Sequence, residues 1–285
     1  MENKFNDSKD VLHRAMLFMF FLACGLTVFV APIFMTGDTK TVYRIIITAP
    51  FLVAIVLLRR SNRLEKHFQV LLAFFTAALA FALEQVVVGA VWPIYREGIL
   101  PSSIDGIVFQ KILSTVSIVA SIVLLTKFSG NSMDSIYLKK GRLRIGLIIG
   151  AATFLFFLAT AIPSSTMLFG GRDLTVERVV SWSPWILAFV FANGLREELW
   201  YRGLFLKRYE TVLGAGTANL LQAVIFSLSH LGSHYTPALL IFLAITFLLG
   251  LAFGAVAQKT NSLLGSILFH AGTDVPVVLG YFSNI

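Results

Sequence analysis

Six side chains in the C-terminal half of the chain, spread over three apolar stretches, are of types that perform hydrolysis. In the first of these stretches Glu197 and Glu198 are followed by Arg202. On a helix, Glu198 and Arg202 share a face as an i, i+4 pair. Glu197 is rotated by about 100° from Glu198 and is not neutralised by the same partner. The pattern predicts one clamped carboxylate and one free carboxylate, and the free one suits a general base or acid.

Two histidines on the other two stretches extend this set. His230 ends one stretch, and the next carries His270 and Asp274, which share a helical face as an i, i+4 pair. An aspartate in that position can orient the imidazole, join it in binding a metal ion, or share a proton with it. His234 is assigned to a loop and is not included. Two histidines and several carboxylates on neighbouring apolar helices together indicate a hydrolytic site.

The elements that must hold these groups are long and apolar. The sequence is 57% hydrophobic and 13% charged, whereas soluble domains carry roughly 25% charged residues, so lipid must be the solvent. We predict an all-α, polytopic transmembrane bundle of eight or nine spans, with a motif-bearing core of about four helices. Segments near the length of about 20 residues that a span needs are 15–35, 42–58, 69–92, 107–126, 145–168, 183–206, 216–231, 236–257 and 261–282. The second and seventh are short, which leaves eight spans as the alternative.

The charge pattern predicts how the chain lies in the membrane. Most of its 23 Lys and Arg residues fall in short loops on the side of the N-terminus, which predicts a cytoplasmic N-terminus. The same pattern explains the net charge of +8 without a nucleic-acid partner. The first apolar stretch is longer than a signal-peptide core and no A-x-A site follows it, so it is expected to be retained. Short loops and compact length favour a multi-pass protein of a bacterial plasma membrane.

Two further polar features lie within the apolar stretches. Glu84 and Lys111 occur in consecutive spans, and a charge at membrane depth costs roughly 2.5–3.5 kcal/mol on insertion scales. We therefore expect these two residues to form an ion pair that locks their helices together. Small residues on the last two spans predict that those helices pack closely against neighbours; they are Gly250, Gly254, Gly265 and Gly272.

The three motifs resemble a known family. Glu197-Glu198-x-x-x-Arg202, Phe226-x-x-x-His230 and His270-x-x-x-Asp274 are similar to the ordered motifs of the CAAX protease and bacteriocin-processing family, which includes the type II CAAX prenyl endopeptidases. The resemblance covers roughly residues 180–285. We accordingly divide the chain into N-terminal transmembrane helices of unassigned role, 1–140, and a protease-like core, 141–285.

The resemblance implies an intramembrane endopeptidase that acts on a membrane-associated or lipidated peptide or protein. Glu197 would activate the water, with His230 assisting, while Glu198 and Arg202 would hold the helix in register. His270 and position 274 would stabilise the oxyanion or bind a metal ion. Family members carry Asn or Asp at this last position, and an ionised Asp274 cannot donate a hydrogen bond to an oxyanion.

The catalytic type stays open at this stage. Zinc held by His230, His270 and a carboxylate is chemically reasonable, although the chain has no H-E-x-x-H and is therefore no zincin. A glutamate mechanism needs only Glu197, His230 and a trapped water, and we prefer it because only two histidines are well placed. The chain also lacks the G-x-S-G and G-x-G-D motifs of serine and aspartyl intramembrane proteases.

Two hypotheses without proteolysis are alternatives to the endopeptidase hypothesis. A peptide-binding immunity or scaffolding membrane protein could keep the same fold and motifs. A transporter could line a pathway with Glu84, Lys111 and the Glu197 cluster, but no repeat of the kind that transporters show is visible.

One inconsistency in depth accompanies the catalytic hypothesis. Counted from the predicted cytoplasmic span ends, with Lys207 and Arg208 at the interface, Glu197 lies about nine residues deep and His230 about 14. The two can meet only if the seventh helix starts near residue 221, if that helix is tilted, or if one boundary is wrong.

Overall fold

The computed structural model of the chain describes residues 2–59, 64–95, 100–233 and 236–285. Within these ranges every regular element is a helix and no β-strand occurs, which confirms the all-α class. The physical reason is that lipid offers no hydrogen-bonding partners, so each apolar segment must satisfy its backbone groups internally.

The N-terminal part of the bundle contains five helices. Helix α1 continues beyond its α-helical part through a π-helical turn, Leu26–Val30, and a 3-10 turn, Ala31–Phe34. The next two helices follow each other as one apolar segment. The five helices are α1 (Glu2–Gly25), α2 (Gly37–Ile46), α3 (Thr48–Leu58), α4 (Glu65–Tyr95) and α5 (Ile104–Phe128).

The C-terminal part begins with a bent pair, α6 (Leu143–Ala159) and α7 (Ala161–Leu168), whose axes differ by 65°. The helices that carry the three motifs follow. In order they are α8 (Val176–Glu198), a π-helical segment (Leu199–Leu206), α9 (Lys207–Leu213), α10 (Ala215–Leu228), α11 (Leu239–Thr260) and α12 (Leu264–Phe282).

Several helices are long and apolar enough to cross a membrane. Among the described residues five helical segments meet this requirement by length and composition, or six if the bent pair α6–α7 counts as one span. The motif-bearing helices α8, α10 and α12 are not among them. The number of eight or nine spans therefore stays a prediction.

The helix that carries Glu197 is longer than the predicted span, and this explains how Glu197 and His230 can lie at the same depth. Helix α8, the π-helical segment and α9 follow one another without a break as far as Leu213, so the helix extends beyond residue 206, where the sequence predicts the end of the span. Arg208, which the sequence placed at the interface, is buried. The chain turns back at Gly214 into α10. Glu197 and His230 now lie at nearly equal distances along the chain from this turn, and their side chains meet.

The turn at Gly214 is tied to the rest of the fold through Glu210 in α9. Its Oε1 accepts hydrogen bonds from Tyr137 Oη at 3.1 Å and from Gln258 Nε2 at 2.7 Å. Tyr137 belongs to the loop between α5 and α6, and its burial beside this carboxylate raises the pKa of its hydroxyl. Glu210 thereby holds the loop, α9 and α11 together next to the turn at Gly214.

Aromatic side chains join the N-terminal helices to the motif-bearing helix. Trp200 stacks on Phe81 of α4 with ring centroids 4.4 Å apart and meets Phe29 edge-on at 5.6 Å. Phe205 packs on Phe74 at 4.7 Å. Aromatic pairs of this kind add roughly 0.5–1.5 kcal/mol each beyond their buried area. Side chains from residues 1–140 thus hold one side of the segment that directly follows Glu197 and Glu198. The predicted division of the chain between residues 140 and 141 stays a prediction.

Close helix packing occurs at the predicted glycines. On α12, a Cβ at Gly272 would lie 2.6 Å from Cα of Phe154, and one at Gly265 would lie 2.8 Å from Cα of Gly146, so both face α6. On α11, Gly250 faces Ala223 of α10 in the same way. Small residues therefore bring the last two helices against α6 and α10, and this sets where His270 and Asp274 lie.

Candidate active site

Glu197 presents a buried carboxylate oxygen to two imidazoles. Its Oε1 accepts a hydrogen bond from Arg196 Nη2 at 3.2 Å. Its Oε2 lies 3.9 Å from Nε2 of His230 and 3.7 Å from Nε2 of His270. In the described part of the chain this oxygen is buried and has no hydrogen-bond partner. Half of the carboxylate is therefore held by a cation, and the other half faces a space shared with the histidines.

Both imidazoles are oriented through their Nδ1 atoms. Nδ1 of His230 lies 2.8 Å from the backbone carbonyl oxygen of Phe226, one helical turn earlier. Nδ1 of His270 lies 2.8 Å from Oε1 of Glu198. Carbonyl and carboxylate oxygens only accept, so Nδ1 carries a hydrogen in both rings and each Nε2 faces Glu197.

Glu198 is the centre of a fully buried ion pair. Its Oε1 accepts from Arg202 Nη1 at 2.7 Å, and both side chains have no exposed surface. Arg202 also donates to the carbonyl of Gly250 in α11 at 3.1 Å, and its guanidinium lies over the ring of Phe226 at 4.4 Å. The predicted i, i+4 clamp is present, and it also orients His270.

Asp274 has a different partner from the one the spacing suggested. Its Oδ2 accepts from Nδ2 of Asn193 at 2.9 Å, and its Oδ1 lies 3.6 Å from Nε2 of His270. The residue that orients His270 is Glu198, on another helix. Oδ1 of Asn193 accepts from Lys111 Nζ at 2.9 Å and from Arg196 Nη2 at 3.1 Å. Asn193 therefore links the aspartate to two cations.

The predicted ion pair between Glu84 and Lys111 is wrong. Glu84 instead accepts from Arg44 Nη1 at 3.0 Å and from Ser114 Oγ at 2.7 Å. Lys111 points toward the motif residues. Arg44 is not predictable as the partner of Glu84, because its position in the sequence groups it with the loop charges and not with the residues inside the membrane.

The site residues border a large cavity inside the bundle. Its volume is about 1460 Å³, and its wall combines polar groups with many aromatic rings. Of the six predicted site residues, Glu197, His230, His270 and Asp274 line it, whereas Glu198 and Arg202 lie behind the wall. Lys111, Asn193 and Arg196 also line it and were absent from the predicted set. His234 lies outside the described residues.

The residues around Glu197 do not fit a zinc ion as they are arranged. Within the described ranges, no group of three His, Cys, Asp or Glu side chains is placed to hold a metal ion. Zinc bonds of 2.0–2.1 Å in tetrahedral geometry put ligand atoms about 3.3–3.4 Å apart. The separations from His270 Nε2 to Glu197 and Asp274 are 3.7 and 3.6 Å, and that from His230 to Glu197 is 3.9 Å. The same separations leave room for a water molecule displaced toward the cavity.

The fold and the site together define a class, an all-helical membrane protein with a carboxylate and imidazole site inside the bundle. In a comparison with family models, residues 179–276 match the model described as type II CAAX prenyl endopeptidase, Rce1-like. This family is a protease family. The match covers about a third of the chain and includes all six predicted site residues, which confirms the resemblance that the three motifs carry. No curated protein and no solved structure matches the chain.

Proposed function

We propose that this protein is an intramembrane endopeptidase that hydrolyses a peptide bond in a membrane-associated or lipidated peptide, with Glu197 as the general base assisted by His230. The observation that carries the proposal is the buried Oε2 of Glu197, which lacks a hydrogen-bond partner in the described part of the chain and faces two Nε2 atoms. Such a group of acceptors fits a water molecule that donates its hydrogens.

The proposed reaction follows from this arrangement. The trapped water donates one hydrogen to Oε2 of Glu197 and the other to Nε2 of His230, and His270 closes the third side. Glu197 takes the first proton as the water oxygen forms a bond to the scissile carbonyl carbon, whose oxygen becomes negative. The protonated Glu197 then gives that proton to the leaving nitrogen as the C–N bond breaks, and the carboxylate is regenerated.

The charges of the site favour a mechanism without a metal ion. Three carboxylates and three cations lie in two hydrogen-bonded groups, Glu198 with Arg202 and the other four around Asn193, and the formal charges of these six side chains balance. The six are Glu197, Glu198, Asp274, Lys111, Arg196 and Arg202. A divalent ion would add positive charge that no further carboxylate of this group offsets, and uncompensated charge is costly in a low dielectric.

The test uses Glu197→Gln, which keeps the shape of the side chain and removes its basicity. The matched control is Glu177→Gln, on an exposed residue at the start of the same helix. The wild type and both variants are purified and reconstituted in vesicles, and cleavage of membrane-embedded and lipidated peptides is followed by mass spectrometry in H₂¹⁸O. We expect Glu197→Gln to lower the rate by about 10²- to 10⁴-fold, with one ¹⁸O in each new carboxyl terminus of the wild-type product.

Two results would contradict the proposal. Cleavage by Glu197→Gln at the wild-type rate would remove Glu197 as the base. Peptide binding by the wild type without any new termini, unchanged when Glu197 and His230 are both replaced, would instead support the immunity or scaffolding reading.

We also propose a multi-pass location in a bacterial plasma membrane with a cytoplasmic N-terminus. The apolar helices support an integral membrane protein, and the loop charges support the orientation. Cysteine labelling tests it directly: single cysteines introduced at Lys127 and Arg172, in a Cys24→Ala background, should react with a membrane-impermeant reagent from opposite sides.

A further inference from the structure

The proposed reaction produces an oxyanion, and Asp274 offers it no donor. His270 gives its Nδ1 hydrogen to Glu198, and its Nε2 lies 3.7 Å from Glu197 and 3.6 Å from Asp274. Asp274 presents a carboxylate, which only accepts. Arg202 has no exposed surface and is bound to Glu198 and Gly250. A transition state with a developing negative charge requires a fixed donor close by, and a carboxylate at position 274 does not supply one.

Lys111 is a cation on that wall whose ammonium group is only partly used. Its Nζ has three hydrogens, and among the described residues it makes one hydrogen bond, to Oδ1 of Asn193 at 2.9 Å. It lies 4.7 Å from the centroid of the Phe189 ring, a contact that favours the charged form without using a hydrogen-bond acceptor. At least one N–H is therefore available to a group in the cavity, which Lys111 lines.

Asn193 fixes Lys111 relative to the base. Its Oδ1 accepts from both Lys111 and Arg196, and the same Nη2 of Arg196 donates to Glu197. The amide cannot be reversed, because its NH₂ group would then face two cations and its oxygen would face Asp274. The side chains of Asn193 and Arg196 thus connect the ammonium group of Lys111 to the carboxylate of Glu197 by hydrogen bonds. The ammonium group lies on the cavity wall that also carries Asp274.

We infer that Lys111, positioned by Asn193, is the oxyanion-stabilising residue of this active site and takes the place of the donor that Asp274 cannot supply. The inference rests on the proposed function. Lys111 lies on α5, outside the segment 179–276 that matches the family model, so it assigns a catalytic role to the N-terminal helices. The proton stays on Nζ throughout, and the ammonium group only donates a hydrogen bond to the carbonyl oxygen as that oxygen becomes negative.

The test compares Lys111→Met, which keeps length and removes charge, with Lys111→Arg, which keeps a donor. The matched control is Lys127→Met, an exposed lysine at the end of the same helix. In reconstituted vesicles we expect Lys111→Met to lower kcat by about 10²- to 10³-fold, with KM changed by less than about threefold. Lys111→Arg should recover part of the loss, and Lys127→Met should match the wild type.

A second measurement separates a donor to the oxyanion from a residue that only supports the fold. A peptide phosphinate, whose anionic tetrahedral centre resembles the oxyanion, should bind Lys111→Met about 10²-fold more weakly than wild type. Binding of uncleaved substrate, measured in a Glu197→Gln background, should not change. The double variant Lys111→Met with Asp274→Asn keeps the charges balanced and provides an amide donor, and it should recover at least about tenfold in kcat.

The outcomes distinguish this inference from the proposed function. If Glu197→Gln abolishes cleavage while Lys111→Met retains wild-type kcat and phosphinate affinity, the inference is wrong and the proposed function stands. If Glu197→Gln cleaves normally, the proposed function fails first. Should Lys111→Met not accumulate in folded form, Lys111→Gln removes the charge and keeps a polar side chain, and its kcat decides the same question.

Discussion

His270 donates from Nδ1 to Oε1 of Glu198 across 2.8 Å, and it does so between two helices that are far apart in the sequence. The same oxygen accepts from Arg202 at 2.7 Å. One carboxylate therefore fixes the helical turn that follows Glu198 and the orientation of a cavity-lining imidazole. The adjacent Glu197 takes no part in this ion pair, which leaves it available for the proposed role of general base.

Removal of Arg202 should destabilise the protein strongly. Arg202→Met would leave Glu198 buried without its cation, and breaking a buried ion pair by loss of one partner costs about 3–5 kcal/mol. Reversible unfolding in mixed detergent micelles, followed by tryptophan fluorescence, measures the difference in free energy of unfolding. The double variant with Glu198→Gln should recover part of this loss, since it removes the uncompensated charge. An unchanged free energy of unfolding in Arg202→Met would contradict the central role of the pair.

Activity should persist when metal ions are removed. The separations around Glu197 exceed those of a tetrahedral zinc site, and the charges of the site balance without one. Purified protein treated with 1,10-phenanthroline and then freed of the chelator should keep its cleavage rate within about twofold. The non-chelating 1,7-isomer is the control for effects on the membrane. Loss of activity with the 1,10-isomer alone, restored by added zinc, would show that the site closes around a metal ion.

The sequence was sufficient to predict the fold class and the side chains that come together around Glu197. Apolar segments of span length predict helices because lipid permits little else, and helical spacing places Glu198 with Arg202 before any coordinates are known. Helix ends were less predictable. Lys207 and Arg208 predict an interface by composition, whereas the helix continues to Leu213. Arg208 is buried there, and its Nη1 donates to the carbonyl oxygen of Leu204, one turn earlier.

The partners of Lys111 and Glu84 were not predictable in the same way. The two occur in consecutive apolar stretches, and proximity in sequence favoured their pairing. The partner of Lys111 is Asn193, about 80 residues away in the chain, and that of Glu84 is Arg44, about 40 residues away. Helical periodicity does not predict contacts at such separations. A signal was nevertheless present: Asn193 is a polar residue one turn before Glu197 in an apolar segment, and buried amides require partners.

Gly272 should not tolerate a side chain. A Cβ there would lie 2.6 Å from Cα and 3.2 Å from the backbone nitrogen of Phe154 in α6, so α12 would have to move with His270 and Asp274. We expect Gly272→Ala to destabilise the protein by about 1–3 kcal/mol and to lower kcat as the imidazole is displaced. The control is Gly89→Ala on the exposed side of α4, where nothing lies within 4 Å, and it should gain up to about 1 kcal/mol. Equal behaviour of the two variants would contradict the close approach of α6 and α12.

The turn at Gly214 sets the register between Glu197 and His230 and provides a final test. Gly214 has φ +83° and ψ 160°, a conformation that only glycine adopts readily, and no atom lies within 4 Å of an added Cβ. Gly214→Ala should therefore cost about 1–3 kcal/mol through backbone strain alone.

Because α9 and α10 diverge from this turn, relief of that strain would shift His230 along α10 relative to Glu197. We expect kcat to fall more than stability does, with KM little changed, since the displacement affects the positioning of the water. Gly216→Ala is the matched control: it lies two residues further on in α10, with equally open space and no positive φ, and it should be neutral or slightly stabilising. If Gly214→Ala keeps full activity, the turn does not determine the distance between the base and its assisting histidine.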